Sequence, residues 1–242
     1  KAPMVFRMII GRGWGQGPQH SQSLQAWFAH IPGFKVLMPT TAYDAKGMLL
    51  SAIKDDSPVI IFEHRWLYNV DGIVPKDPYE VNLNSARVLH KGDDITIVAT
   101  SYMVLEALKA SEILSKHGIK SEVIDLRSIV PLDIDTIYKS VKKTGSLVVA
   151  DTGTINFGIS AEIISRLMEM DHSVLRNIPK RIGLPFCPSP TSPSLAEKFF
   201  PRANDIILCV CDILDLDKNI LSKEGDKEQW HDVPDSSFTG PY

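Results

Sequence analysis

The stretch KVLMPTTAYDAKGMLLSAIKDDSPVIIFE, residues 35–63, decides the fold class. Lys35–Met38 is short and apolar and reads as a strand, as does Val59–Glu63 with its Val-Ile-Ile-Phe run. Thr41–Ile53 between them reads as a helix. Thr41 and Asp44 have capping-box spacing, and Ala45, Met48, Leu49, Ala52 and Ile53 fall on one helical face. Strand, helix and strand at these lengths argue for a parallel sheet covered on both faces.

The same alternation extends outward. Before it stand a strand at Val5–Ile10, a glycine-rich loop at Gly11–Gly17 and a helix at Ser21–Ile31. After it, Trp66 to Gly92 loses all periodicity; Gly72, Pro75 and Pro78 punctuate a linker with room for one short edge strand. A second series follows. Strands are expected at Ile95–Ala99, Glu122–Leu126 and Ser146–Asp151, and helices at Met103–Lys116, Ile134–Lys142, Ser160–Met168 and Ala203–Leu214. Met103, Ala107, Ala110 and Leu114 form the inner face of the first of these helices, and Leu184–Pro193 reads as a proline-rich loop. The expected architecture is α/β, with two consecutive parallel-sheet domains. The first, 1–72, is incomplete with three strands and an apolar edge; 73–92 is a linker, 93–216 the second domain, and 217–242 a polar tail.

Bulk properties exclude several classes. The 242 residues carry 26 Lys and Arg against 29 Asp and Glu, so no basic surplus points to nucleic acid. Apolar runs fall far short of the ~20 residues that span a bilayer, and the start does not read as a secretion signal. Cys187, Cys209 and Cys211 have no metal-ligand spacing; Cys209 and Cys211 lie in an apolar run, so buried thiols and a reducing compartment are the expectation.

The glycine loop does not fit a dinucleotide fingerprint. Counting from Gly11 puts Gln16 where the last glycine belongs, and counting from Gly13 puts Pro18 there. His20 follows the loop and precedes the expected helix, whose N-terminal amides would favour a neutral imidazole able to exchange a proton. A histidine that merely hydrogen-bonds the loop fits the same spacing. His30 and His64 read as structural or surface residues, and His90, His117, His172 and His231 as solvent-facing.

The run Gly17-Pro18-Gln19-His20-Ser21-Gln22, then Ala26-Trp27-Phe28-Ala29-His30-Ile31-Pro32-Gly33, resembles the β subunits of thiamine-diphosphate-dependent pyruvate and branched-chain 2-oxo acid dehydrogenases. So do Asp44-Ala45-Lys46-Gly47, Glu122-Val123-Ile124-Asp125-Leu126-Arg127, Pro131-Leu132-Asp133 and Lys143-Thr144-Gly145, in order, between Lys1 and about Leu214. The resemblance implies a transketolase-like pyrimidine-binding part followed by a transketolase-type C-terminal domain. It implies thiamine diphosphate shared with an α subunit that holds magnesium, a second β subunit, and a lipoyl acyltransferase as partner. His20 matches the family's loop histidine, which is assigned to proton transfer in reductive acylation of the lipoyl group. A structural potassium ion is implied at Met4, Ala52, Ile53, Asp55 and Ser57, mostly through carbonyl oxygens; a plain helix C-cap before Pro58 accounts for the same residues.

The family's thiamine-activating glutamate would lie upstream of Lys1, so the chain alone is expected to be inactive. The element Leu184–Pro193 and the tail from Asp217 depart from the family pattern. They leave open a transketolase or deoxyxylulose-phosphate-synthase relative acting on sugars, or a subunit-association module without catalysis. The resemblance fits a bacterial cytoplasm or a mitochondrial matrix.

Overall fold

A computed structural model describes residues 1–11, 15–218 and 233. The expected tail lies largely outside the described residues. The first half holds strand β1 (Val5–Ile10), short helices α1 (Gly17–His20) and α2 (Gln25–Ala29), strand β2 (Lys35–Leu37), helix α3 (Ala42–Ile53) and strand β3 (Val59–His64). A 3-10 turn, Arg65–Asn69, ends it. The second half runs β4 (Arg87–His90), β5 (Ile95–Ala99), α4 (Tyr102–Lys116), β6 (Ser121–Asp125), β7 (Ser128–Val130) and α5 (Ile134–Thr144). It continues with β8 (Leu147–Thr154), α6 (Ile159–Met170), β9 (Lys180–Leu184), α7 (Pro193–Phe199) and α8 (Ala203–Leu214).

The strand–helix–strand reading of residues 35–63 holds. Thr41 caps α3 by accepting the Asp44 amide at 3.0 Å, although its hydroxyl donates to the Asp44 carboxylate where a capping box would return to the Thr41 amide. Ile53 departs from the expected inner face, at 61% exposure. The inner face of α4 is buried as expected, from Met103 to Leu114.

Two sheets form, in the orders β1-β3-β2-β7 and β4-β6-β5-β8-β9. The pairings β1–β3 and β2–β3 are parallel, as are those among β5, β6, β8 and β9. Two antiparallel pairings, β2–β7 and β4–β6, make each sheet mixed. The first sheet therefore has a fourth strand, and it comes from the second half of the chain. After β6, Leu126 and Arg127 turn the chain between sheets, with Arg127 at φ 55°. Among the described residues β1 is the last strand of its sheet, and on it Phe6 and Ile9 stand 42% and 60% exposed.

The crossover strand explains why the halves share a core. Ile10, Val36, Met38, Ile60 and Phe62 pack in one cluster with Val98, Ile124, Ile137, Val149 and Ile163. A second cluster fills the other face of the larger sheet, where α4 and α8 bring Val104, Ala107, Leu114, Ile206 and Val210 onto Ile97 and Val148. Val81 and Leu83 of the connecting segment cover α3 and the outer face of the first sheet.

A buried polar clasp joins the halves beside the crossover. Arg127 Nη1 donates to Asp44 Oδ1 at 3.0 Å, with Asp44 wholly buried. The rest of the Arg127 guanidinium donates to Ser85, at 2.6 and 3.1 Å to its carbonyl and 2.8 Å to its hydroxyl. Asp125 receives the Arg127 amide at 3.1 Å, and burial pushes its carboxyl up to about 7.

Candidate active site

The C-terminal ends of β1 and β3 lie side by side, since Ile10 is in register with His64. That end of a parallel sheet is where α/β folds collect their ligands. Gly11 continues β1 at φ +83°, and a Cβ there would overlap the His64 imidazole. His64 itself is buried, accepts the Trp66 amide at Nδ1 (3.3 Å) and stacks on Tyr102 at 5.1 Å. It is structural, one of the two expectations for it. Arg202, buried in an ion pair with Glu106 at 3.0 Å, lies over the Trp66 ring at 5.0 Å. An aromatic and ionic plug thus supports the start of the glycine loop.

His20 ends α1, a single turn with Pro18 in its first positions, and is exposed. This corrects the expectation that a helix starts at Ser21. Ser21 breaks helical geometry at φ −120° and ψ 29°, and the next helix begins only at Gln25 and ends at Ala29. His20 is therefore at a C-terminal position, and the argument for a neutral imidazole from N-terminal amides does not apply. Its ring has no hydrogen-bond partner among the described residues, which take in Gly11 and Gly15–Gly17 of the glycine loop.

The main chain around His20 is held from several directions. Arg65, first residue after β3, donates through Nη2 to the His20 carbonyl at 2.8 Å and through Nη1 to the Gln16 side chain. Gln22 Nε2 donates to the Pro18 carbonyl at 3.1 Å, and the Gly11 amide to the Gln22 carbonyl at 3.3 Å. From the second half, Ser189 donates to the Ser21 carbonyl at 3.5 Å. Gly17, at φ +63°, lies so near Thr191 that an added Cβ would meet its methyl at 2.7 Å. The proline-rich departure from the family pattern is thus a wall of this loop.

Below the loop a cavity of about 20 Å³ is lined by Ser21, Ser23, His64, Asp151 and Thr152, among others. It is the size of a water molecule. Asp151 is wholly desolvated, which pushes its carboxyl up, against the pull of Thr100 at 2.6 Å and Gln25 at 2.8 and 3.0 Å. Gln25 to Asp151 is a second polar link between the halves.

The residues expected around a potassium ion are gathered where α3 ends and β3 begins. The Met4 carbonyl accepts the Val59 amide at 2.8 Å, and the Ala52 carbonyl the Asp55 amide at 3.2 Å. Asp55 Oδ1 takes the Ser57 amide at 2.9 Å, while Oδ2 is paired with the Lys35 ammonium. Burial acts to raise the Asp55 carboxyl, but Lys35 and Ser57 together hold it below the usual carboxylate range. Among the described residues no three His, Cys, Asp or Glu side chains form a metal-binding group. Cys187, Cys209 and Cys211 are free thiols, of which Cys211 is buried and Cys187 exposed.

Sequence reasoning missed Arg65, Thr191 and the pair of Gln25 with Asp151. Only Arg65 had a signal, its place directly after a strand's C-terminal end.

Residues 1–71 match the family described as the transketolase pyrimidine-binding domain, and residues 84–206 the transketolase C-terminal domain. The acetoin:2,6-dichlorophenolindophenol oxidoreductase subunit β of Cupriavidus necator is 39% identical over 85% of this chain and 61% of its own length. The pyruvate dehydrogenase E1 component subunit β-1 of Oryza sativa, a mitochondrial protein, is 42% identical over 85% of this chain and 56% of its own. The chain thus spans about 60% of the length of these relatives. A solved structure titled a split-gene transketolase, inactive β4 tetramer, superposes with a TM-score of 0.71 at 24% identity, covering 88% of this chain and 66% of that one. It shares the fold. Two domain matches in series, on a structure with mixed parallel sheets in both halves, make this chain a member of the transketolase family, similar to the β subunits of pyruvate and acetoin dehydrogenating enzymes.

Proposed function

We propose that the chain is the β-subunit portion of the decarboxylase component of a 2-oxo acid dehydrogenase, and that His20 exchanges a proton during acyl transfer to a lipoyl group. The observation that carries this reading is the His20 imidazole itself. It is exposed and unpartnered among the described residues, on a turn that Arg65 holds through the His20 carbonyl and the Gln16 side chain. An imidazole so presented is free to serve a group delivered from outside the chain. The similarity to pyruvate dehydrogenase and acetoin-oxidising β subunits supports the same class.

Thiamine diphosphate, when bound, would supply the carbanion-stabilising chemistry of decarboxylation. In this reading it is shared with an α subunit that holds the magnesium-diphosphate end, a second β subunit completes the assembly, and a lipoyl acyltransferase accepts the acyl group. The compartment is a bacterial cytoplasm or a mitochondrial matrix. The two domains are taken as 1–72 and 93–216, with Arg87–His90 of the segment between them pairing in the second sheet and Ser128–Val130 returning to the first. A potassium ion would be held by oxygens of Met4, Ala52, Ile53, Asp55 and Ser57. Lys35 already pairs with Asp55 Oδ2, so a cation at this site would rest mainly on the carbonyl oxygens and would be repelled by the nearby ammonium.

The test is reconstitution with an α subunit and a lipoyl domain, offering pyruvate, branched 2-oxo acids and acetoin in parallel. His20→Ala should slow lipoyl acylation by roughly 10²–10⁴-fold. It should spare oxidation through an artificial dye acceptor more than lipoyl transfer. Unchanged lipoyl acylation in the variant would overturn the role of His20. Turnover of sugar phosphates without any lipoyl requirement would favour a transketolase.

A further inference from the structure

We propose that Arg65 is the positioning residue for His20, a single guanidinium that grips α1 at both ends and sets where the imidazole is presented. The inference rests on the function proposed for His20 and adds the device that places it.

Gln16 precedes α1 and His20 ends it. One Arg65 nitrogen takes the Gln16 side chain and the other the His20 carbonyl, across 49 and 45 residues of sequence. The planar, pre-organised guanidinium fork holds two acceptors in a fixed relation from a single side chain. The base of the fork is rigid. Arg65 follows β3, an interior strand paired on both sides, and precedes Trp66, which is 2% exposed.

The charge of Arg65 is directed to the loop because its neighbours are engaged elsewhere. Glu63, two residues earlier, is bidentate with Arg7 at 2.8 and 2.9 Å and also accepts the Tyr68 hydroxyl at 2.7 Å. No ion pair involves Arg65 among the described residues. Its Nε is buried and has no hydrogen-bond partner there, so compensation for desolvation falls to the two loop contacts. Burial lowers the guanidinium's pKa from its ordinary value, yet an arginine starts so far above neutrality that it stays a cation. The cation therefore gains most from staying on the loop, and the loop has no other charged anchor in the described structure.

Two variants of the full chain, Arg65→Met and Arg65→Lys, test this by amide hydrogen exchange and by the chemical shifts of the His20 ring in NMR spectra. Met keeps the stem's bulk without donors; Lys keeps the charge and one donor. Arg65→Met should speed exchange across residues 16–22 by about tenfold, the worth of one charge-assisted hydrogen bond at a partly exposed site. It should also displace the His20 ring resonances at a fixed pH, and Lys should recover part of both effects. Exchange and His20 ring shifts unchanged in Arg65→Met would overturn the proposal. So would equal loosening of the whole chain by both variants, the mark of a merely structural arginine. His20→Ala with normal lipoyl acylation, beside a loop that Arg65 still controls, would instead remove the proposed function and leave the clamp standing.

Discussion

Replacing Arg127 by Met should cost the chain about 3 kcal/mol of stability. Asp44 is completely buried, and its carboxylate faces the Arg127 guanidinium at 3.0 Å. Removing one partner of a buried pair leaves a stranded charge, which costs ~3–5 kcal/mol. Three donor contacts to Ser85 are lost as well. The lower end applies because Arg87 stands 3.7 Å from the other Asp44 oxygen and remains. In a chain of this size such a loss lowers the melting temperature by roughly 6–12 °C. Urea unfolding followed by far-ultraviolet circular dichroism measures it directly, and the shared core should keep the transition single. The double variant Asp44→Asn with Arg127→Met removes the stranded charge, so it should be more stable than Arg127→Met alone. A loss under about 1 kcal/mol in Arg127→Met, or strict additivity with Asp44→Asn, would refute the reasoning.

Asp125 should make stability fall as pH rises. With its carboxyl pushed up to about 7, the folded chain keeps a proton that the unfolded chain releases near pH ~4, so stability is lost across that window and is level above it. Asp125→Asn should therefore gain up to about 4 kcal/mol over the parent at pH 8 but little at pH 4.5; equal gains at the two pH values in urea titrations would contradict this. For the cation, melting curves in potassium and sodium chloride at matched ionic strength are the check. Potassium should raise the midpoint in the parent and not in Asp55→Asn, and coincident parent curves would remove the ion.

What the sequence disclosed depended on how local the cause was. Residues 35–63 were readable because apolar period and the Thr41 cap are local signals, and Val5–Ile10 and Ala203–Leu214 match the expected bounds for the same reason. β7 escaped notice because three residues, Ser128-Ile-Val130, become a strand only through pairing with β2. β9 carries Lys180, Arg181 and Gly183 in five residues, too mixed to signal a strand. α7 was hidden by Pro193, which reads as a loop breaker but suits a helix's first turn. The site divided in the same way. The glycine loop and the resemblance marked His20, whereas Arg65 reaches it from 45 positions away and Thr191 lies against Gly17 from 174 positions away, beyond any local pattern. The helix expected from Ser21 failed because Pro18 closes a turn before that point and Ser21 leaves helical geometry.

The passage of β7 into the first sheet bears on how such chains can be recombined. A hybrid that joined the first half of one relative to the second half of another would not merely bring two bodies into contact. It would graft a foreign strand onto Lys35–Leu37 and close a foreign arginine on Asp44. The segment between the halves reads as a joint, yet the pairing of Ser128–Val130 with Lys35–Leu37 ties the two halves across it. A change in either strand should therefore be tolerated best with a matching change in the other.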